Sequence, residues 1–207
     1  MSIITISREF GSGGRELGKR LADELGYTYY DREIESEIAK RMNLDENYVA
    51  TILEKRPPVN FPIHYGNTFL YLSTYHQQQM QTDIFAEKCK MLKEFAQKGN
   101  CVIVGRAADI ILQEFNPFNI FVYADMDYKI KRCQTYAEAD ENLTPAELKK
   151  MIKKVDNERS KYHEMFAGKT WADKERYHLC INTSGIQIKK IVPVVADYAR
   201  CWFQEQC

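Results

Sequence analysis

The chain has 207 residues, with 29 Lys plus Arg balanced by 29 Asp plus Glu and no formal net charge. That length suffices for one α/β domain with a modest inserted subdomain, and the balanced charge argues against a nucleic-acid or anionic-membrane partner. No apolar run approaches the roughly 20 residues a membrane-spanning helix needs, and MSIITIS carries neither a basic leader nor a cleavage site, which reads as a cytoplasmic chain.

Residues 2–7, SIITIS, are short, β-branched and followed by a glycine loop, which predicts a buried strand. From Glu16 the apolar residues Leu17, Leu21, Ala22 and Leu25 recur at helical spacing until Gly26 stops the helix. YTYYD at 27–31 reads as a second strand, and 32–56 as a charged helical region closed by Pro57–Pro58. Residues 59–77 are rich in aromatics, with Phe61, His64, Tyr65, Phe69, Tyr71 and Tyr75 among them; a long helix then fills 78–98. Such rings suit base stacking, but the favoured reading is packing of the inserted helices against the sheet or against a second subunit in a homodimer.

Two strong strand signals follow, CVIVG at 101–105 and NIFVYAD at 119–125, joined by a short helix at 107–114. A helix at 127–139 precedes the capping box Thr144-Pro-Ala-Glu147, which opens a helix to about 166. YHLCINT at 177–183 is the last strand and 186–205 the last helix. Alternating helices and near-continuously apolar strands predict an α/β fold with a parallel sheet covered on both faces, in one domain spanning 1–207. The segment from about 44 to 99 is the candidate inserted subdomain.

The six cysteines, at 89, 101, 133, 180, 201 and 207, form no C-x-x-C pair, and Cys101 and Cys180 fall in apparent buried strands, so they read as core residues. His64, His76, His163 and His178 lack metal-ligand spacing, and no protein-held metal is expected.

The glycine loop admits three readings. Gly11-Ser-Gly13 begins a dinucleotide fingerprint, but the third glycine is missing, although Asp31 stands where a ribose-binding acid would. Gly13-Gly-Arg-Glu-Leu-Gly18-Lys19 fits seven positions of the phosphate-loop pattern, but Arg20 replaces the hydroxyl and Leu17 already belongs to the helix. Gly168-Lys169-Thr170 follows no strand and is discounted. The third reading places an eight-residue loop, Arg8 to Arg15, directly after the first strand, where successive amides and the helix's positive end hold phosphate without a side chain. In that register Gly14 occupies the lysine position and Arg15 the Ser/Thr position.

ITISREFGSGGRELGKRLADELGYTYYDREI, with CVIVGRAADIIL and YHLCINTSG further on, resembles the cytidylate kinase-like family of P-loop proteins over essentially the whole chain. The resemblance implies a P-loop NTPase-like three-layer fold with a five-stranded parallel sheet, a helical acceptor-binding insertion, and an arginine-bearing lid at about 133–170. It implies ATP with Mg2+, the metal held mainly by nucleotide and water, and transfer to a small acceptor, nominally a pyrimidine nucleoside monophosphate such as CMP.

By position, Gly11, Ser12, Gly13, Gly14 and Arg15 match the phosphate loop, and Asp31 the acidic residue near the acceptor. Arg106 matches the arginine of a G-R-D motif whose aspartate is here Ala107, with Asp109 one helical step on as a substitute. Arg132 matches a helix arginine bordering the lid; Lys154, Asp156 and Arg159 match the lid segment. Loss of the loop lysine removes a charge from the β- and γ-phosphates, which Arg15 restores if its guanidinium folds back, and Ser12 or water is left to serve the metal. The resulting expectation is a kinase with Arg15, Arg106 and Arg159 catalytic, Arg132 on the nucleotide, and Asp31, Arg106 and Lys154 on the acceptor. The competing expectation is a regulatory nucleotide-binding module of the same fold without transfer; a nicotinamide-dinucleotide binder is the third.

Overall fold

The computed structural model describes residues 1–31, 33–54, 68–136, 143–167 and 171–205, with side chains described within these except at 54, 68–78 and 165–167. Five strands pair in parallel: β1 (Ile3–Arg8), β2 (Thr28–Tyr30), β3 (Cys101–Val104), β4 (Phe118–Tyr123) and β5 (Leu179–Asn182), in the order β2-β3-β1-β4-β5. The helices are α1 (Gly14–Leu25), α2 (Glu33–Met42), α3 (Glu46–Glu54), α4 (Thr68–Lys98), α5 (Ala108–Ile111), α6 (Met126–Tyr136), α7 (Pro145–Ala167) and α8 (Ile188–Glu205). The chain divides into two compact units, one of Met1–Asp31 with Phe95–Cys207, the other Arg32–Glu94. Among the described residues no helix is long and apolar enough to cross a membrane.

Register sorts the first unit's core. Ile4 and Ile6 of β1 lie opposite Val102 and Val104 of β3 and Phe118 and Ile120 of β4. Because side chains alternate along a strand, this row shares one face, where it meets Leu17, Leu21 and Ala22 of α1 and Ile188, Val192, Val195, Ala196 and Ala199 of α8 in one buried cluster. The opposite face carries Thr5, Ser7, Ile103 and Phe121; there Phe121 meets Trp171 edge-on and Tyr177 at a tilt, with centroids 5.3 and 5.0 Å away. Helices and sheet thus form the three-layer arrangement expected of the fold.

In the second unit, Ile34, Ile38 and Ala39 of α2 and Val49 and Leu53 of α3 are buried, and Arg41 bridges Glu37, Glu87 and Glu94. The helical stretch expected over 32–56 is two helices, because Asn43 turns left-handed (φ 53°) and Asp45 caps α3 by accepting from the Tyr48 amide. α4 begins at Thr68, ten residues before the predicted 78. Phe61, His64 and Tyr65 lie outside the described residues, as do the side chains of Phe69, Tyr71 and Tyr75, so the aromatic stretch keeps the status of an expectation.

Three further boundaries move. β1 runs on to Arg8 and α1 begins at Gly14, leaving a five-residue loop, Glu9–Gly13, in place of eight. Cys180 is exposed rather than buried, since β5 is the sheet's edge strand and only Leu179 and Ile181 join the core cluster. Gly18 is not a phosphate-loop glycine: it sits inside α1, where an added Cβ would lie 2.7 Å from Val104 Cγ2 and 3.2 Å from Ile6 Cδ1. Its hydrogen lets the helix approach the sheet. Gly18→Val should therefore overpack the core and cost about 1–3 kcal/mol of unfolding free energy, read from the midpoint of a urea titration.

Candidate functional site

Parallel strands put all their carboxyl ends at one edge. β1 is flanked by β3 and β4, so successive crossovers leave it in opposite directions, the geometry that opens a crevice at a strand tip. The loop Glu9–Gly13 stands at that tip. Its amides can be counted: Glu9 donates to Val122 O, Phe10 to Asp156 Oδ1 at 2.6 Å, and Ser12 weakly to Glu9 O at 3.4 Å. Among the described residues, no acceptor is recorded for the amides of Gly11, Gly13, Gly14, Arg15 or Glu16. The last three are the orphan donors of a helix start. Together they form an anion nest at the positive end of α1. Gly13 caps that helix at φ 84°, left-handed, where a Cβ would come within 2.9 Å of Ile188.

Above the nest, guanidinium groups converge on one carboxylate. Asp31, 4% exposed at the end of β2, receives Arg15 Nε at 2.5 Å and Arg8 NH2 at 3.6 Å, with the Tyr29 hydroxyl 3.4 Å away. Arg159 donates to Arg8 O at 3.0 Å, and its guanidinium carbon lies 5.8 Å from the Phe10 ring centre. Burial lowers the Arg8 pKa to about 9; the charges of Arg159, Arg106 and Arg15 push the same way, and Asp31 opposes them. Arg159 is lowered too, first by burial and then by Arg15 and Arg106, against the pull of Asp156. Among the described residues, Arg8 and Arg15 thus meet Asp31, Arg159 also lies 3.8 Å from Asp156, and Arg106 acts on Arg8 and Arg159 through its charge. Such a group binds anions because an added negative charge relieves the mutual repulsion.

Arg106 reaches this group from an uncommon backbone. Gly105, Arg106 and Ala107 are all left-handed, at φ 76°, 63° and 54°. For Arg and Ala that conformation costs on the order of 1 kcal/mol each. At Gly105 a side chain would be strained by the left-handed backbone itself, and an added Cβ would have to push the Arg8 guanidinium aside.

Behind the loop, Lys129 of α6, 4% exposed, bonds Glu9 Oε2 at 2.9 Å and Asp156 Oδ2 at 3.1 Å. Burial works against its charge, yet the hydrogen bond to Glu9 and the two carboxylate charges raise its pKa above the usual lysine value. Burial raises Asp156, opposed by the Phe10 amide and by Lys129. One turn beyond Arg159 on α7, His163 Nε2 meets Asp109 Oδ2 at 2.7 Å, both residues buried.

The placement of the expected residues is uneven. Gly11, Gly13, Gly14, Arg15, Asp31, Arg106 and Arg159 come together. Arg132 sits beside the loop but pairs with Glu16 at 2.5 Å, lying over the Tyr136 ring. Ser12 does not offer a metal ligand: it is wholly buried and its hydroxyl donates to Glu9 O at 2.8 Å, so only its main chain belongs to the loop. Lys154 is not brought in. It is exposed on α7, two residues and hence about 200° round the helix from Asp156. Asp109 is engaged by His163 rather than standing in for the absent motif aspartate. Lys129 was not singled out as a binding residue by the sequence, whereas Arg8, just before the loop, reads there as either a phosphate contact or a partner of Glu9. Nothing in YKIKR separates the buried Lys129 from exposed Lys131, whereas an arginine at the tip of an apolar strand was a usable signal for Arg8.

The family model described as "Cytidylate kinase-like family" matches residues 3–185. No curated protein matches the chain by sequence. Among solved structures, an uncharacterized protein from Eubacterium ventriosum is 25% identical with a TM-score of 0.69, covering 97% of this chain and 99% of its own. Shikimate kinase from Bacteroides thetaiotaomicron is 16% identical, TM-score 0.57, covering 96% and 98%. Shikimate kinase from Acinetobacter baumannii, in complex with shikimate, is 15% identical, TM-score 0.52, covering 94% and 90%. The last two identities speak for the fold alone.

The buried clamp makes a stability prediction. Lys129→Met leaves Glu9 and Asp156 without their shared cation and should cost about 3–5 kcal/mol at neutral pH. In the variant the burial that already raises Asp156 is no longer opposed by Lys129, so its folded-state pKa lies further above the unfolded value and stability returns as pH falls toward 5. Guanidinium titrations of both proteins at pH 7.5 and 5.5 check this; the gap should narrow at the lower pH.

Proposed function

The chain belongs to the cytidylate kinase-like family, and from that premise we propose that it transfers the γ-phosphoryl group of ATP to a small anionic acceptor, nominally a pyrimidine nucleoside monophosphate such as CMP. The observation that carries the proposal is the set of amides at Gly11 and Gly13–Glu16 with no acceptor among the described residues, at the same strand tip as Arg8 and Arg15, both paired with Asp31, and Arg159, which donates to the Arg8 carbonyl. Phosphoryl transfer asks a protein mainly for positioning and for neutralisation of charge on the moving oxygens, and this constellation supplies both.

The amides hold the polyphosphate tail. Arg15 covers it from the solvent side. Arg106 and Arg159, on separate elements, hold the transferring and accepting oxygens apart from water, and Asp31 orients the acceptor's polar end. Mg2+ bound with the nucleotide neutralises phosphate charge. That Mg2+ would be held mainly by phosphate oxygens and water, the Ser12 hydroxyl being committed to Glu9 O.

A second reading has its own support: Gly14 stands at the lysine position and Arg15 is engaged with Asp31, which favours a nucleotide-binding regulatory module without transfer. ADP release measured against CMP, UMP, dCMP, AMP and GMP, and against shikimate because two fold neighbours are shikimate kinases, separates the two. The kinase reading expects release that depends on one acceptor and falls about 100- to 1000-fold in Arg106→Ala. Release that no acceptor stimulates, alongside nucleotide binding by calorimetry, leaves the regulatory module.

A further inference from the structure

The register that makes residues 8–15 the phosphate loop holds a second departure besides the missing lysine. The G-x-x-x-x-G-K-[ST] pattern asks for glycine at position 8 and lysine at position 14; this chain has Arg8 and Gly14. The two substitutions are sterically one. A Cβ added to Gly14 would lie 2.6 Å from Arg8 Cβ and 3.1 Å from Arg8 Cγ, with Val122 Cβ at 3.3 Å. The first of these is fixed by the backbone and cannot swing aside, whatever rotamer the arginine takes. No lysine fits at 14 while arginine stands at 8.

We propose that Arg8 and Gly14 have exchanged roles, so that Arg8 supplies the cation to the transferred phosphoryl group that a lysine at position 14 would supply. This rests on the phosphotransferase reading. The guanidinium is held for the task. It crosses Gly105, which must lack a side chain to let it pass, and it lies between the nest and Asp31, engaging that carboxylate only at 3.6 Å while Arg15 takes it at 2.5 Å. Its fork therefore keeps donors for an incoming phosphate. Arg106, Arg159 and Arg15 surround it, so an anion placed there meets a site already short of negative charge.

The test is a swap, read as the dissociation constant of Mg2+ with a non-hydrolysable ATP analogue, AMP-PNP, by calorimetry. Arg8→Gly should weaken binding about 10- to 100-fold, the loss of one charge-assisted contact. Gly14→Lys alone should also weaken it, since the new side chain overlaps Arg8. The double variant Arg8→Gly/Gly14→Lys should return to within about fivefold of the wild type, a large departure from additivity. Wild-type affinity in Arg8→Gly, or a double variant no tighter than Arg8→Gly, overturns the proposal. Where Arg8→Gly does not fold, Arg8→Gln reads the charge alone: the same loss supports the exchange of roles and unchanged affinity defeats it. Absence of binding by the wild type itself takes down the phosphotransferase reading together with this one, whereas wild-type binding without the Arg8 effect defeats only this one.

Discussion

Mutual repulsion among cations is the constraint around which the first unit is built. Arg8, Arg15, Arg106 and Arg159 share one edge of the sheet with a single acid, Asp31, and the second acid close by, Asp156, is already divided between the Phe10 amide, Lys129 and Arg159. Like charges at this spacing raise the energy of the folded chain. They persist where the surrounding structure holds them in place, and the fold does that by placing each arginine on a different element: the end of β1, the first turn of α1, the turn after β3, and the inner face of α7. Their backbones are thereby anchored at separate points of one sheet edge.

Two polar clamps then tie α7 to the site. At one level Asp156 reaches the loop amide and Lys129; two turns later His163 reaches Asp109. Arg159 lies between them on the same face, so its position is set from both sides, and its bond to the Arg8 carbonyl completes the seam. The Asp109–His163 pair also anchors α5, whose start is the left-handed run Gly105–Ala107. Strain of that kind relaxes unless the flanking segments are held. Here β3 holds one side, wholly buried, and the buried Asp109 holds the other.

The sheet was legible because burial on both faces writes apolar runs into the chain, and CVIVG and NIFVYAD stand out against charged helices. The helix break at Asn43 was not, since a left-handed residue there depends on capping by Asp45 rather than on any loss of helical periodicity. At the site, glycine spacing located the anion nest, and the family resemblance brought in Arg106, Arg159 and Asp31. Composition could not expose Lys129, because a buried lysine with two acids looks in sequence like any solvated one. It also misled on Lys154, where adjacency in the motif hid that helical geometry turns it to the opposite side. Ser12 failed for a related reason: a hydroxyl in a phosphate loop looks available until its bond to the Glu9 carbonyl is seen.

An anion site made from main-chain amides is insensitive to which side chains surround it, because the donors belong to every residue and their direction is set by the backbone. The strand tip, the left-handed Gly13 and the first turn of α1 give this chain that framework. Side chains on the framework are then free to change provided that charge and space are conserved together. Arg8 and Gly14 satisfy both conditions, one adding the volume and the cation that the other gives up. In the proposed function, recognition of whatever the phosphate is attached to is assigned to the groups on separate elements, Asp31, Arg106 and Arg159. Asp31 and Arg159 are tied to the loop through Arg15 and Arg8, and a fold shared with shikimate kinases at 15–16% identity leaves their side-chain arrangement unspecified.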